Sequence, residues 1–129
     1  MSVIMPVYNT ENDLLQASIR SIQGQTYEMI ELIVVDDGSE KRCAELCYTI
    51  ADDRTRVFHI ENAGASAARN KGNNERSSEY IAFIDSDDTM AANANEVMVA
   101  QIEGVNFVSL GCKHIHTITN SKPAILRES

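Results

Sequence analysis

The sequence has no tryptophan, two prolines and three cysteines among its 129 residues. The cysteines are odd in number and form no C-x-x-C pair, so neither a disulfide framework nor a structural zinc site is favoured. No apolar run approaches the ~20 residues that a membrane-spanning helix needs. No basic segment precedes an apolar stretch at the start of the chain, which leads to the expectation of a cytosolic protein without a secretory signal. Positive charge is scarce as well: 11 Lys and Arg stand against 19 Asp and Glu, a formal charge of -8, and the basic residues form no cluster. That balance argues against nucleic acid or an anionic membrane as a partner of the surface as a whole. What remains is 43% apolar residues in one domain's length of chain. Such a chain is globular and has enough side chains for one core.

Strand and helix patterns alternate along it. Residues 2–5 form a first apolar run that Pro6 is expected to stop. Thr10 with Asp13 reads as a capping-box-like start for a helix carrying Leu15, Ile19 and Ile22 on one face. Leu32 to Val35 is unbroken and largely β-branched, the composition of a strand covered on both faces of a parallel sheet. Asp36-Asp37-Gly38-Ser39 ends that strand, and Ser39 is the expected cap of the next helix. There Cys43, Leu46, Cys47 and Ile50 share one face, which makes both cysteines small core residues. A third strand is expected over 56–60, an alanine-rich helix after Asn62-Ala63-Gly64, and a fourth strand over 80–84. A helix near 93–103, stopped by Gly104, and a fifth strand over 105–110 follow. Beyond Gly111 the pattern decays, and 120–129 reads as irregular. His59 reads as structural, and His114 with His116 as an exposed strand face. Repeated strand–helix units predict a doubly wound α/β fold, its mostly parallel sheet carrying helices on both faces.

Four polar segments each follow the carboxyl end of an expected strand: Pro6-Val7-Tyr8-Asn9, Asp36-Asp37-Gly38-Ser39, Asn62-Ala63-Gly64 and Asp85-Ser86-Asp87-Asp88. In an open parallel sheet those ends share one edge, and ligands bind in the crevice outside them. The resulting cleft would be rich in aspartate, with Arg69 and Lys71 as its candidate cations. Crowded carboxylates resist ionisation together unless a positive charge sits among them. Asp85 and Asp87 offer hard oxygen ligands for Mg²⁺ or Mn²⁺, which complete their shells with phosphate and water. Read singly, the same residues have plainer roles. Asp85 to Asp88 can be a solvated turn capping a helix, Gly38 can serve a tight turn at positive φ, and Asn62 and Gly64 can cap the following helix. A glycine there also lets a ligand approach the backbone, where a helix N-terminus favours phosphate.

Taken in order, these segments resemble the inverting family 2 glycosyltransferases of the GT-A, Rossmann-like fold. The resemblance is carried by Ser2-Val3-Ile4-Met5-Pro6-Val7-Tyr8-Asn9 with Glu11, Ser21-Ile22-Gln23, Gln25-Thr26-Tyr27 and Glu31-Leu32-Ile33-Val34-Val35-Asp36-Asp37-Gly38-Ser39. Asn62, Gly64, Ser66, Ala68-Arg69-Asn70-Lys71-Gly72 and Glu79-Tyr80-Ile81-Ala82-Phe83-Ile84-Asp85-Ser86-Asp87-Asp88 complete it. It implies that Pro6 and Tyr8 line a base pocket supported by Asn9 and Glu11. Asp37, with Asp36 beside it, would contact the nucleoside, and Arg69 and Asn70 would close the site. Asp85 would approach ribose and metal, Asp87 would be the main metal ligand, and Asp88 a secondary one. The implied donor is a nucleotide diphosphate sugar, UDP-linked as the first choice, bound through Mg²⁺ or Mn²⁺. The implied acceptor is a carbohydrate or a lipid-linked molecule, with peripheral association at the inner membrane face allowed. Residues 1–111 would form the nucleotide-sugar-binding part, and 112–129 the start of an acceptor-side region or an irregular tail. The chain would then be a truncated donor half. No general base is assigned: Glu103 reads as exposed near a helix end, and Glu128 lies in the featureless stretch. Two other functions are carried as alternatives, a catalytically silent nucleotide-sugar binder and a phosphotransfer domain. Receiver-like and haloacid-dehalogenase-like phosphotransfer folds place a key aspartate after the first strand, where this chain has Pro6-Val7-Tyr8-Asn9.

Overall fold

Two strands buried on both faces set the architecture. The fold is given by a computed structural model, which describes residues 1–102 in full and the backbone of 107–109 and 124–127. β1 (Ser2–Val7) and β2 (Glu31–Asp37) pair in parallel, from Ser2 opposite Glu31 to Val7 opposite Asp36. Successive side chains point to opposite faces. Val3, Met5, Val7, Leu32 and Val34 therefore enter one core cluster, while Ile4, Ile33 and Val35 enter another. β3 (Thr55–Ile60) lies parallel outside β2, and β4 (Tyr80–Phe83) lies parallel on the other side of β1. β5 (Phe107–Ser109) and β6 (Ala124–Arg127) are antiparallel to each other, and β6 is antiparallel to β4. The sheet order is β3-β2-β1-β4-β6-β5.

The helices divide between the faces as chain direction requires. α1 (Asn12–Gln23), α2 (Lys41–Ile50) and α4 (Ala94–Ile102) supply Leu15, Ile19, Ile22, Cys43, Cys47, Met98 and Ile102 to the first cluster. α3 (Ala65–Glu75) supplies Ala68 to the second. From β1 to β3 the chain steps outward; from β3 to β4 it returns across both earlier strands. Right-handed crossovers then place α3 on the face opposite α1 and α2. α3 lies close to the sheet, where a Cβ at Gly72 would fall 2.4 Å from Ile4 Cγ2. That contact accounts for a glycine inside a helix, where it costs about 1 kcal/mol relative to alanine.

Several expectations are corrected. β1 continues through Pro6. Ile84 N–H donates to Ile4 O, so the backbone of residue 4 faces β4, and alternation turns residue 6 the same way. Pairing with β4 ends at Ile4 opposite Phe83, so proline's missing N–H forfeits no ladder bond. Thr10 is not a helix cap: the residue preceding α1 is Glu11, with no side-chain cap bond, and Thr10 Oγ1 instead meets Ser86 Oγ at 2.5 Å. Ser39 does not cap α2 either; its hydroxyl accepts Asn9 N–H at 2.9 Å, and Asn9 Oδ1 accepts Glu40 N–H at 2.7 Å. Ala124–Arg127, in a stretch read as irregular, forms β6. Four residues are too few to show a period. Glu103, Gly104, Cys112, His114, His116 and Glu128 lie outside the described residues.

At the amino-terminal edge of the sheet, Glu31 ties three strands together. Its carboxylate accepts Ser2 Oγ, Ser77 N, Ser77 Oγ and Arg56 Nη1 at 2.9, 3.1, 2.8 and 2.7 Å. Burial pushes this carboxyl up, but the hydrogen bonds from Arg56, Ser77 and Ser2 outweigh it and hold the group at about 2 rather than 4.5. A depressed carboxylate contributes stability above its unfolded value and loses it as pH falls. Glu31→Gln is expected to cost on the order of 2 kcal/mol at neutral pH. Urea titrations should show the gap to wild type narrowing between pH 4.5 and 2. A constant gap would contradict the assignment.

Candidate functional site

Strand order reverses between β1 and β4, and the loops leaving their carboxyl ends diverge there to open a crevice. A cleft of about 690 Å³ lies at that point. β1 and its loop contribute Pro6, Val7, Tyr8 and Asn9, followed by Thr10, Glu11 and Leu14 at the start of α1. β2 contributes Asp37; the approach to α3 contributes Asn62, Gly64 and Ala65; the turn after β4 contributes Asp85, Ser86 and Asp87. The four polar segments therefore meet. Leu14 and Ala65 were not singled out by sequence, Thr10 was read only as a helix cap, and Ser86 entered only as part of its segment. Only the positions of Thr10 beside Asn9 and Glu11 and of Ser86 beside Asp85 hinted at a place in the cleft.

The adjacent aspartates of β2 part company because neighbouring strand residues face opposite ways. Asp37 faces α3, and its carboxylate accepts Ala63 N–H at 2.8 Å and Gly64 N–H at 2.9 Å. Asn62 Nδ2 donates to Asp37 O at 3.0 Å. These bonds fix the loop opening α3 against the end of β2. They also require Gly38, at φ 76°, because a Cβ there would stand 2.8 Å from Asn62 N. Asp36 faces the other way and is not among the cleft-lining residues. Its Oδ1 accepts Ser39 N–H at 3.1 Å, and its Oδ2 lies 2.7 Å from His59 Nδ1. His59 thus has the structural place expected of it. Asn9 takes the left-handed conformation, φ 48°, which asparagine tolerates better than most residues.

The turn after β4 is closed by Asp88 N–H donating to Asp85 O at 3.0 Å. Asp85, Asp87 and Asp88 each offer a carboxylate oxygen within 4.8 Å of the others. Arg69, reaching from α3, places Nη2 3.2 Å from Asp85 Oδ1. Three hard oxygen donors at this spacing, offset by one guanidinium, fit a divalent cation of the Mg²⁺ or Mn²⁺ kind. Lys71 is not part of this balance: it bonds Glu75 at 2.9 Å and lies over the Phe58 ring. Asn70, on the exposed side of α3, does not line the cleft. Cys43 and Cys47 are buried as expected, and burial, with Cys43 and Asp36 nearby, pushes the Cys47 thiol up to about 12. Such a thiol is inert.

An open α/β sheet with an acidic turn at its switch point has the GT-A, Rossmann-like architecture of nucleotide-sugar-dependent transferases. The chain belongs to glycosyl transferase family 2, whose family model matches residues 2–127. It is similar to the glycosyltransferase GlyG of Streptococcus pneumoniae, with 41% identity over 80% of this chain and 35% of that protein. The chain spans about a third or less of the length of curated relatives that it matches. S. aureus TarS, residues 1–349, solved in complex with UDP, superposes with a TM-score of 0.68 and 25% identity, covering 77% of this chain and 30% of that one. A mannosyltransferase of Pyrobaculum calidifontis, PcManGT, solved with GDP-Man and Mn²⁺, shares the fold at a TM-score of 0.79 and 21% identity, over 98% and 44% of the two chains.

Asp37→Ala leaves two backbone N–H groups beside the cleft without their acceptor. The expected loss is about 1–3 kcal/mol in urea unfolding, with faster hydrogen exchange at Ala63 and Gly64. Unchanged exchange at both amides would contradict the role given to this carboxylate.

Proposed function

We propose that this chain is the donor-binding part of a glycosyltransferase, holding a nucleotide diphosphate sugar through a divalent metal for inverting transfer to an acceptor hydroxyl. The observation that carries the reading is the acidic turn placed across one cleft from Tyr8 and Asp37. UDP is the favoured nucleotide, supported by the UDP complex of the similar S. aureus protein. Pro6 and Tyr8 would flank the base, with Asn9 and Glu11 holding their loop. Asp37 would meet the nucleoside, with Asp36 next to it in sequence but turned toward His59, and Arg69 would close the site from α3. Asp85, Asp87 and Asp88 would hold Mg²⁺ or Mn²⁺. When bound, the metal supplies Lewis-acid neutralisation of the departing diphosphate.

Further roles fall to the chain's own residues. The exposed ring of Tyr8 offers an apolar face beside the cleft, where a base can leave water. Arg69 partly neutralises Asp85 and so tempers repulsion within the turn before a cation arrives. The acceptor hydroxyl would attack the anomeric carbon from the face opposite the diphosphate, giving its proton to a carboxylate base on the acceptor side. Residues 1–111 form the donor part in this reading, and 112–129 begin the acceptor side. The acceptor is a carbohydrate or lipid-linked molecule, and the reaction is cytoplasmic, at the inner membrane face when the acceptor is a lipid. Among the described residues no helix is long and apolar enough to cross a membrane.

Calorimetric titration with UDP tests this. Binding with Mn²⁺ present should be at least about tenfold tighter than without it, and Asp87→Ala should erase that difference. Equal UDP affinity with and without metal would sink the proposal.

A further inference from the structure

Ser21-Ile22-Gln23 and Gln25-Thr26-Tyr27 carry part of the family resemblance but lie outside the cleft. Of their side chains, Ser21, Gln25 and Thr26, together with Ser18, run along the segment that bears the acidic turn, whereas Gln23 bonds Ile50 O. Ser18 Oγ donates to Asp85 O at 3.3 Å, Ser21 Oγ accepts Met90 N–H at 3.1 Å, and Gln25 Nε2 donates to Ala91 O at 2.7 Å. Gln25 Oε1 accepts Asn95 N–H at 3.1 Å, and Thr26 N–H donates to Ala92 O at 2.8 Å. Ser18 and Ser21 are one turn apart on α1, and Gln25 continues their line just past its end. The serine hydroxyl is fully oriented, because Ser21 Oγ also donates to Ser18 O at 2.7 Å.

Three features give this contact a function beyond ordinary packing. The partners of Ser18, Ser21 and Gln25 on the far segment are all backbone atoms, so these contacts fix the path of the chain. Asp85 O and Met90 N–H lie on either side of Asp87 and Asp88, so the turn is held at both its flanks. Ser18 and Gln25 are buried, which keeps water from competing for their bonds. Without such a brace, three carboxylates within 4.8 Å would spread the turn by mutual repulsion.

We propose that Ser18, Ser21 and Gln25 are positioning residues for the metal site, holding the acidic turn at ligand spacing before the cation binds. The inference rests on the metal-binding reading of the cleft. Second-layer hydrogen bonds of this kind commonly change metal affinity by about 10–100-fold when removed.

The test uses Ser21→Ala, Ser21→Thr and Gln25→Met in the full chain, with Mn²⁺ alone as the probe. Free Mn²⁺ is read by electron paramagnetic resonance without nucleotide, well below the unfolding midpoint of each variant. Ser21→Ala and Gln25→Met should weaken Mn²⁺ binding about tenfold or more while circular dichroism stays native. Ser21→Thr, which keeps the hydroxyl, should bind as wild type does. A merely structural stripe would lower the unfolding temperature and leave Mn²⁺ affinity untouched, and that result overturns the inference. Wild type that fails to bind Mn²⁺ overturns the reading of the cleft along with it. Wild-type binding matched by both variants overturns the stripe's role alone.

Discussion

β1 is hydrogen-bonded on each side to a parallel strand, and those two neighbours are reached by crossovers running in opposite directions. This one arrangement fixes the rest. It opens the crevice between the loop after β1 and the turn after β4, and it sends α3 to the face opposite α1 and α2. Arg69 can reach the acidic turn only because α3 returns across the sheet before β4 begins. The same crossing brings Asn62 to Gly64 over the end of β2, where Asp37 secures them.

The acid groups near the cleft are each accommodated differently, and the differences locate the need for a cation. Asp36 is matched by Ser39 and His59, Asp37 by two backbone N–H groups, and Asp85 by Arg69. The repulsion expected among all the cleft aspartates is thereby confined to the turn, where Asp87 is exposed. Asp85, Asp87 and Asp88 each bring a carboxylate oxygen within 4.8 Å of the others there. Serine hydroxyls of α1 bond backbone atoms at both flanks of the same turn, so charge and shape point to one place.

Much of this was legible in the residues because it rests on local periodicity. The unbroken run from Leu32 to Val35 identified a central strand, and the spacing of Cys43, Leu46, Cys47 and Ile50 identified a buried helix face. The convergence of the four polar segments followed from their places after strand ends. What sequence reasoning missed depends on partners distant along the chain. Helix starts were assigned to Thr10 and Ser39, yet Thr10 meets Ser86 and the start of α2 is held by Asn9. The divided roles of Asp36 and Asp37 follow from two-residue alternation once β2 is known to extend to Asp37. Ending the strand at Val35 concealed them. β6 escaped because its neighbours β4 and β5 supply the pairing that four residues cannot announce. Asn70 was placed at the site by resemblance, and it lies on the exposed side of α3.

Paramagnetic broadening of amide resonances gives the most direct view of whether one cation and one nucleotide share this cleft. Mn²⁺ added with UDP at substoichiometric levels should broaden residues 8–11, 62–65 and 85–88 together, while Glu31 and Thr55 at the far edge of the sheet stay sharp. Broadening centred away from Asp85 to Asp88, or spread evenly over the surface, would contradict a metal-bridged nucleotide site at the β1/β4 switch point.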